Sequence, residues 1–150
     1  MKTLYCDASF DWTKTEKSAG NVVVGKIAIA DGKGFERIEN VAVGKVEGLQ
    51  QYINVFELTA IARAVELASE EKLKADSLTV ITDSKTAMFW ARAGRIKKKG
   101  IETLAHSGAL SYLSHARTQF KGEVIFDYVP REQNWAGKLL EIELEKQKAA

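Results

Sequence analysis

Hydrophobic and polar positions change period partway along the chain. Residues 2–9 carry the β-favouring run Leu4, Tyr5, Cys6 and read as a strand. "DWTKTEKSAG" (11–20) is polar and ends on glycine, which predicts a loop. "NVVVGKIAIAD" (21–31) is β-branched and apolar, a second strand, and "DGKG" (31–34) is a turn. "FERIENVAVG" (35–44) places apolar residues at Phe35, Ile38, Val41 and Val43, a third strand with a bulge. Three successive strands joined by short loops predict an antiparallel meander.

A helical period then takes over. In residues 54–73, Val55, Leu58, Ile61, Ala62, Val65 and Leu73 form a stripe. "SLTVITD" (77–83) is a short apolar strand, and residues 84–96 form a helix with Ser84 as N-cap. Residues 101–120 form another helical stretch, kinked at Gly108; 122–130 is a strand; 134–148 is a closing amphipathic helix. The order βββαβααβα implies an α/β architecture, a five-stranded mixed sheet with helices on its faces.

The bulk numbers add limits. A chain of 150 residues fits a single domain, 1–150, and 45% hydrophobic residues suffice for a globular core. A net charge of +2 does not by itself argue for a polyanionic partner. Cys6 is the only cysteine, so an intrachain disulfide is excluded and a reducing compartment fits. No apolar run suits a signal peptide or a membrane span, so the expectation is a cytoplasmic protein without a membrane partner.

Three carboxylates break the patterns around them. Asp7 interrupts the first apolar strand, where a charge is costly unless something pairs with it. Glu57 sits near the start of the first helix, and Asp83 closes the fourth strand. If strands one and four are neighbours, Asp7 and Asp83 project from one region, and the first helix can lay Glu57 over them. Carboxylates that close raise one another's pKa unless cations neutralise them, and all-oxygen ligands suit Mg²⁺ or Mn²⁺. Taken singly, each acid also reads as a turn, cap or solvated residue.

These residues carry a resemblance. "DASF" (7–10), "NVFELTAIARAVELA" (54–68) and "ITDSKTAMFW" (81–90) resemble, in order and spacing, the first-strand D-x-S motif, the N-x-x-E helix and the TDS strand end of the type 1 ribonuclease H family. The resemblance covers essentially the whole chain. It implies the ribonuclease H-like fold and two-metal cleavage of the RNA strand of RNA/DNA hybrids, with Asp7, Glu57 and Asp83 as three of four acidic ligands. It implies that Asn54 and Ser9 lie on the substrate; an N-terminal cap is the plainer reading of Asn54. A monomer is the expected state.

Two departures stand out. The family's last helix opens on an N-x-x-A-D run, and here the stretch is "REQNWAGKLLE" (131–141), with no aspartate. In one register Asn134 is the family's asparagine, and Gly137 or Lys138 holds the acidic position. In the other, favoured by the shortness of the stretch from Val129, Asn134 itself holds the fourth position and offers an amide oxygen to the metal. Glu141 is a weaker candidate. The family's loop histidine is also missing: His106 and His115 lie in the preceding helical region and read as surface or packing residues. Arg131 and Glu132 are the candidates to act in that loop, and the sequence does not choose between them or require either.

Finally, "ARAGRIKKKG" (91–100) holds Arg92, Arg95, Lys97, Lys98 and Lys99 without an acid. Such a run is usually a solvated face. In this place it resembles the family's basic protrusion, which grips the DNA strand, with Trp90 packing beneath it or stacking on a sugar. The rival readings are a catalytically silent hybrid-binding domain and a structural domain whose acids are surface groups.

Overall fold

The computed structural model describes residues 2–10, 22–46, 52–70, 76–96 and 104–149. Its elements run β1 Lys2–Phe10, β2 Val22–Ala30, β3 Glu36–Gly44, α1 Tyr52–Ser69, β4 Ser77–Thr82, α2 Lys85–Ala93, α3 Leu104–Gln119, β5 Glu123–Tyr128, a 3₁₀ turn Arg131–Gln133, and α4 Trp135–Ala149. The sheet order is β3-β2-β1-β4-β5. The first three strands form the antiparallel meander, while β4 joins β1, and β5 joins β4, in parallel. The expected loop at 11–20 lies outside the described residues.

Strand alternation divides β1 between two cores. Leu4, Cys6 and Ala8 enter the main core under α1, while Tyr5 belongs to a smaller cluster of Ala28, Ile38, Ala136 and Leu140 under α4. Asp7 shares Tyr5's face and lies opposite Ala28 on β2. Helix α4 covers β1, β2 and β3 on this face, and α1 packs on β1, β2 and β4 on the other. No helix among the described residues is long and apolar enough to cross a membrane.

Four expectations need correction. The β2–β3 register runs unbroken from Val22↔Gly44 to Ala30↔Glu36, so β3 has no bulge; Ile38 and Asn40 share one face of a regular edge strand, and Arg37, Glu39, Val41 and Val43 the other. Helix α3 runs continuously through Gly108. Helix α1 is buried well beyond its predicted stripe, with Phe56, Ala60, Ala64, Leu67 and Ala68 also buried, because it is covered from more than one side: Phe56 stacks on Phe10 of the sheet, and α3 also packs on the helix. Helix α2 stops at Ala93, where Gly94 takes a left-handed φ of 69° and its N–H bonds Trp90 O at 2.8 Å.

A candidate active site at the seam of two strands

Parallel pairing of β1 with β4 runs from Lys2↔Leu78 to Tyr5↔Ile81 and stops. The same offset, carried two residues on, sets Asp7 opposite Asp83. The Cys6 carbonyl at this seam lacks a β4 partner, and Asn134 supplies one. Its Nδ2 donates to Cys6 O at 3.0 Å and to Asp83 Oδ2 at 3.2 Å, while its Oδ1 accepts from Ala136 N at 3.0 Å. Asn134 is therefore the N-cap of α4 and the closure of the seam, fully buried. Turning the amide over would set oxygen against two acceptors and nitrogen against a donor, so the network fixes its orientation.

Glu57 reaches the seam from α1, between the fully buried Phe56 and Leu58. One carboxylate oxygen from each of Asp7, Glu57 and Asp83 lies within 4.8 Å of the others. Asp7 and Glu57 are only 8% and 4% exposed. Burial, followed by the Asp83 charge, pushes Asp7 up to about 6. Burial, then Asp7, pushes Glu57 well above the carboxylate range. Burial also raises Asp83, against the lowering effect of its bond from Asn134. The Asp7–Glu57 contact lowers Asp7 and raises Glu57.

This donor set fits a hard divalent cation. Among the described residues no donor reaches the buried Glu57 Oε2. Among the described residues the three carboxylates converge without a lysine or arginine hydrogen-bonded to any of them, and all the converging atoms are oxygens. A cation would satisfy the orphaned oxygen and relieve the mutual repulsion at once.

The other expected residues divide. Ser9 is half-buried on Asp7's face of β1, and Asn54 is half-buried in the first turn of α1, three residues before Glu57 and inside the helix rather than capping it. Asn134 joins the cluster, but its amide nitrogen faces the acids and its oxygen is used by the helix cap. This corrects its expected role as an oxygen ligand. Of the alternatives, Gly137 faces the site: a Cβ there would stand 3.2 Å from Asp7 Oδ2. Lys138 is exposed, its Nζ 4.7 Å from the Trp135 ring centroid, and Glu141 lies 3.7 Å from Arg131 Nε.

Trp90 does not serve as a stacking platform. It is 6% exposed and packs edge-on against buried His106, since position 90 falls on the core side of α2. His115 is exposed on α3. Arg92 Nε donates to Phe126 O at 2.9 Å and so ties α2 to β5, and Arg95 is exposed just beyond Gly94. Lys97, Lys98 and Lys99 lie outside the described residues. The Cys6 carbonyl carries no signal in the sequence, because it opens only where the β1–β4 pairing ends.

No protein-family model matches the chain, and no curated protein matches it by sequence. Solved structures do match. Ribonuclease H1 from the halophilic archaeon Halobacterium salinarum NRC-1 is 17% identical over 92% of each chain, with a TM-score of 0.57. The N-terminal ribonuclease H domain of a Mycobacterium tuberculosis protein is 19% identical, over 92% of this chain and 95% of that one, with a TM-score of 0.57. LC11-RNase H1, isolated from compost and solved with an RNA/DNA hybrid, is 21% identical over 91% of each chain, with a TM-score of 0.57. The chain thus has the ribonuclease H-like fold.

Proposed function

We propose that the chain is a type 1 ribonuclease H, an endonuclease that hydrolyses the RNA strand of RNA/DNA hybrids by two-metal-ion catalysis with Mg²⁺ or Mn²⁺ and leaves 5′-phosphate ends. The observation that carries this reading is the convergence of Asp7, Glu57 and Asp83 at the seam, with Glu57 Oε2 buried and undonated. Those three residues would hold the cation. When bound, it supplies Lewis-acid stabilisation of phosphoryl oxygens and an activated water. Asp7 interacts with both of the other acids and would be the ligand common to the site. Asn134 fixes the rotamer of Asp83 through its 3.2 Å bond and keeps the first strand in register with it. Glu57, shut in between α1 and β1, keeps bulk water from that side of the cluster.

Ser9 and Asn54 would meet the RNA strand beside the acids, where the 2′-hydroxyl distinguishes RNA from DNA. Arg92, Arg95 and the Lys97–Lys99 run would hold the DNA strand through phosphates, which gives position and affinity without sequence reading. The enzyme would act in the cytoplasm as a monomer. A silent hybrid-binding domain is the second reading, favoured by one feature: Asn134 turns its nitrogen, not an oxygen, toward the acids.

The test is incubation with a labelled RNA/DNA hybrid, with and without Mg²⁺ or Mn²⁺, beside single- and double-stranded controls. Cleavage confined to the RNA strand of the hybrid, abolished by EDTA, is expected. Cleavage of the DNA strand, or activity in excess EDTA, overturns the proposal. Hybrid binding with no cleavage in either metal selects the silent domain.

A further inference from the structure

Gly137 stands in the first turn of α4 and is buried. Its backbone does not ask for glycine: among the described residues a positive φ occurs only at Gly32, Gly34 and Gly94. Within a helix glycine is among the least favourable residues, and alanine is the best. The reason for glycine lies across the interface with β1. A Cβ at 137 would stand 3.2 Å from Asp7 Oδ2, where ordinary contact begins at 3.4 Å. The next nearest atoms, Asn134 Cβ and Cγ, would be at an unstrained 3.6 and 3.8 Å. Of these three neighbours, only the carboxylate oxygen would be crowded.

A crowded Asp7 carboxylate has one way to yield. Helix α4 covers Asp7's face of the sheet, and α1, on the opposite face, brings Glu57. A methyl group on α4 would therefore drive Asp7 Oδ2 toward Glu57, by a few tenths of an ångström. That is the scale on which divalent cations differ. Mg²⁺ binds oxygen at about 2.0–2.1 Å and Ca²⁺ at about 2.3–2.6 Å.

We propose that Gly137 sets the size of cation that the three acids accept. The inference rests on the proposed metal site, and it makes Gly137 a positioning residue that acts through Asp7 and offers no ligand atom of its own. Glycine leaves Asp7 Oδ2 room to withdraw against α4, so the cluster can widen around an ion larger than Mg²⁺. Alanine would hold the carboxylate forward and keep the spacing narrow. Discrimination among cations in this chain then depends on a missing methyl group on α4 as well as on the ligands themselves.

Metal binding without nucleic acid is the readout. EDTA-stripped wild type, Gly137→Ala and Asp7→Asn proteins are melted across a series of MgCl₂ and CaCl₂ concentrations, and each affinity is taken from the rise in melting temperature. Asp7→Asn reports ions bound elsewhere on the chain. Gly137→Ala should weaken Ca²⁺ binding about tenfold relative to Mg²⁺. Helix propensity alone would leave that ratio unmoved. A metal-free cycle reads the contact itself. In Asp7→Ala protein, where the oxygen is gone, Gly137→Ala should raise the denaturation midpoint; beside an intact Asp7 it should raise it less, or lower it. An equal gain in both backgrounds overturns the inference. So does binding of both ions with the same Ca²⁺ to Mg²⁺ ratio in wild type and Gly137→Ala, and that result leaves the metal site standing. A wild type that neither ion stabilises beyond Asp7→Asn removes the metal site, and the inference with it.

Discussion

Helix α1 feeds two carboxylate clusters, and they are built on opposite rules. Toward the seam it offers Glu57, which meets Asp7 and Asp83 with no bonded cation among the described residues, and burial raises all three. Toward β3 and α3 it offers Arg63 and Glu66. Arg63 Nε and Nη2 grip Glu39 at 2.7 and 2.9 Å, Arg63 Nη1 bonds Glu66, and Tyr112 OH donates to Glu66 at 2.7 Å. The forked bond from Arg63 holds Glu39 below the usual carboxylate range. Burial and then Glu66 hold the Tyr112 hydroxyl above its own. The second cluster is internally satisfied and joins β3, α1 and α3. The first is left short of positive charge inside the same fold, which is costly unless something arriving from solution supplies it.

The contrast breaks most sharply at the acids. Asp7→Asn, Glu57→Gln and Asp83→Asn keep shape and remove charge. Each should lower hybrid cleavage by about 100-fold or more, some 2.7 kcal/mol of barrier. Each should also raise the metal-free melting temperature, because repulsion is relieved. Near-full activity in any one of them would remove that residue from the metal-binding set.

Next in size are changes at Asn134. Asn134→Ala loses the cap and both donations, and chemical denaturation should show a loss of about 2 kcal/mol, with reduced turnover. Asn134→Asp keeps the cap but sets a charge against Asp83 and the Cys6 carbonyl. It should melt lower than wild type without metal and regain the difference in Mg²⁺. A wild-type melting temperature in the metal-free aspartate variant would show that the amide donations contribute nothing.

Arg63→Met tests the other cluster. It strips the cation from Glu39 and Glu66, so stability should fall by about 1–2 kcal/mol while turnover per folded molecule is kept. Loss of turnover without loss of stability would join the two clusters that the structure separates.

Acid pH gives the finest test, since the two clusters respond with opposite sign. Asp7 is raised to about 6 from 3.8, so between those values the metal-free folded state binds more protons than the unfolded one, and this contribution falls as pH rises. Glu39 is lowered, so its contribution is present above its unfolded pKa of about 4.5 and is lost as pH falls through the folded value. Metal-free melting curves of Asp7→Asn and Arg63→Met against pH should each lose one limb. In saturating Mg²⁺ the Asp7 limb should vanish from the wild type.

Much of this plan was legible in the residues alone. The meander, the order of elements and the Ser84 cap follow from period and turn chemistry, and Ser84 Oγ accepts from Ala87 N at 3.1 Å as expected. The three acids were legible because each interrupts an apolar pattern. What escaped was set by neighbours distant in sequence. Trp90 beside a basic run reads either as packing beneath it or as stacking on a sugar, and only the contact with His106 of α3 decides for packing. The stripe on α1 cannot reveal that α3 also packs on the helix. Asn134 was legible as a site residue, but which of its amide atoms faces the acids depends on the Cys6 carbonyl, exposed only where β1 and β4 stop pairing. Gly137 offers no side chain to read, and its nearness to Asp7 follows from the docking of α4.

The bond from Asn134 to Cys6 joins residues 128 apart in sequence. Folding makes such contacts slowly, because the chain between them must be ordered before they hold. The meander and α1 are nearer neighbours and can collapse around β1 first, with Asp7 and Asp83 still unlatched. The expectation is that refolding has two observable stages, and that cleavage returns only with the second. Trp135, whose ring lies against the Gly32 turn once α4 docks, provides a fluorescent clock for that stage. Activity returning ahead of the Trp135 signal would show that the latch is dispensable to the site it closes.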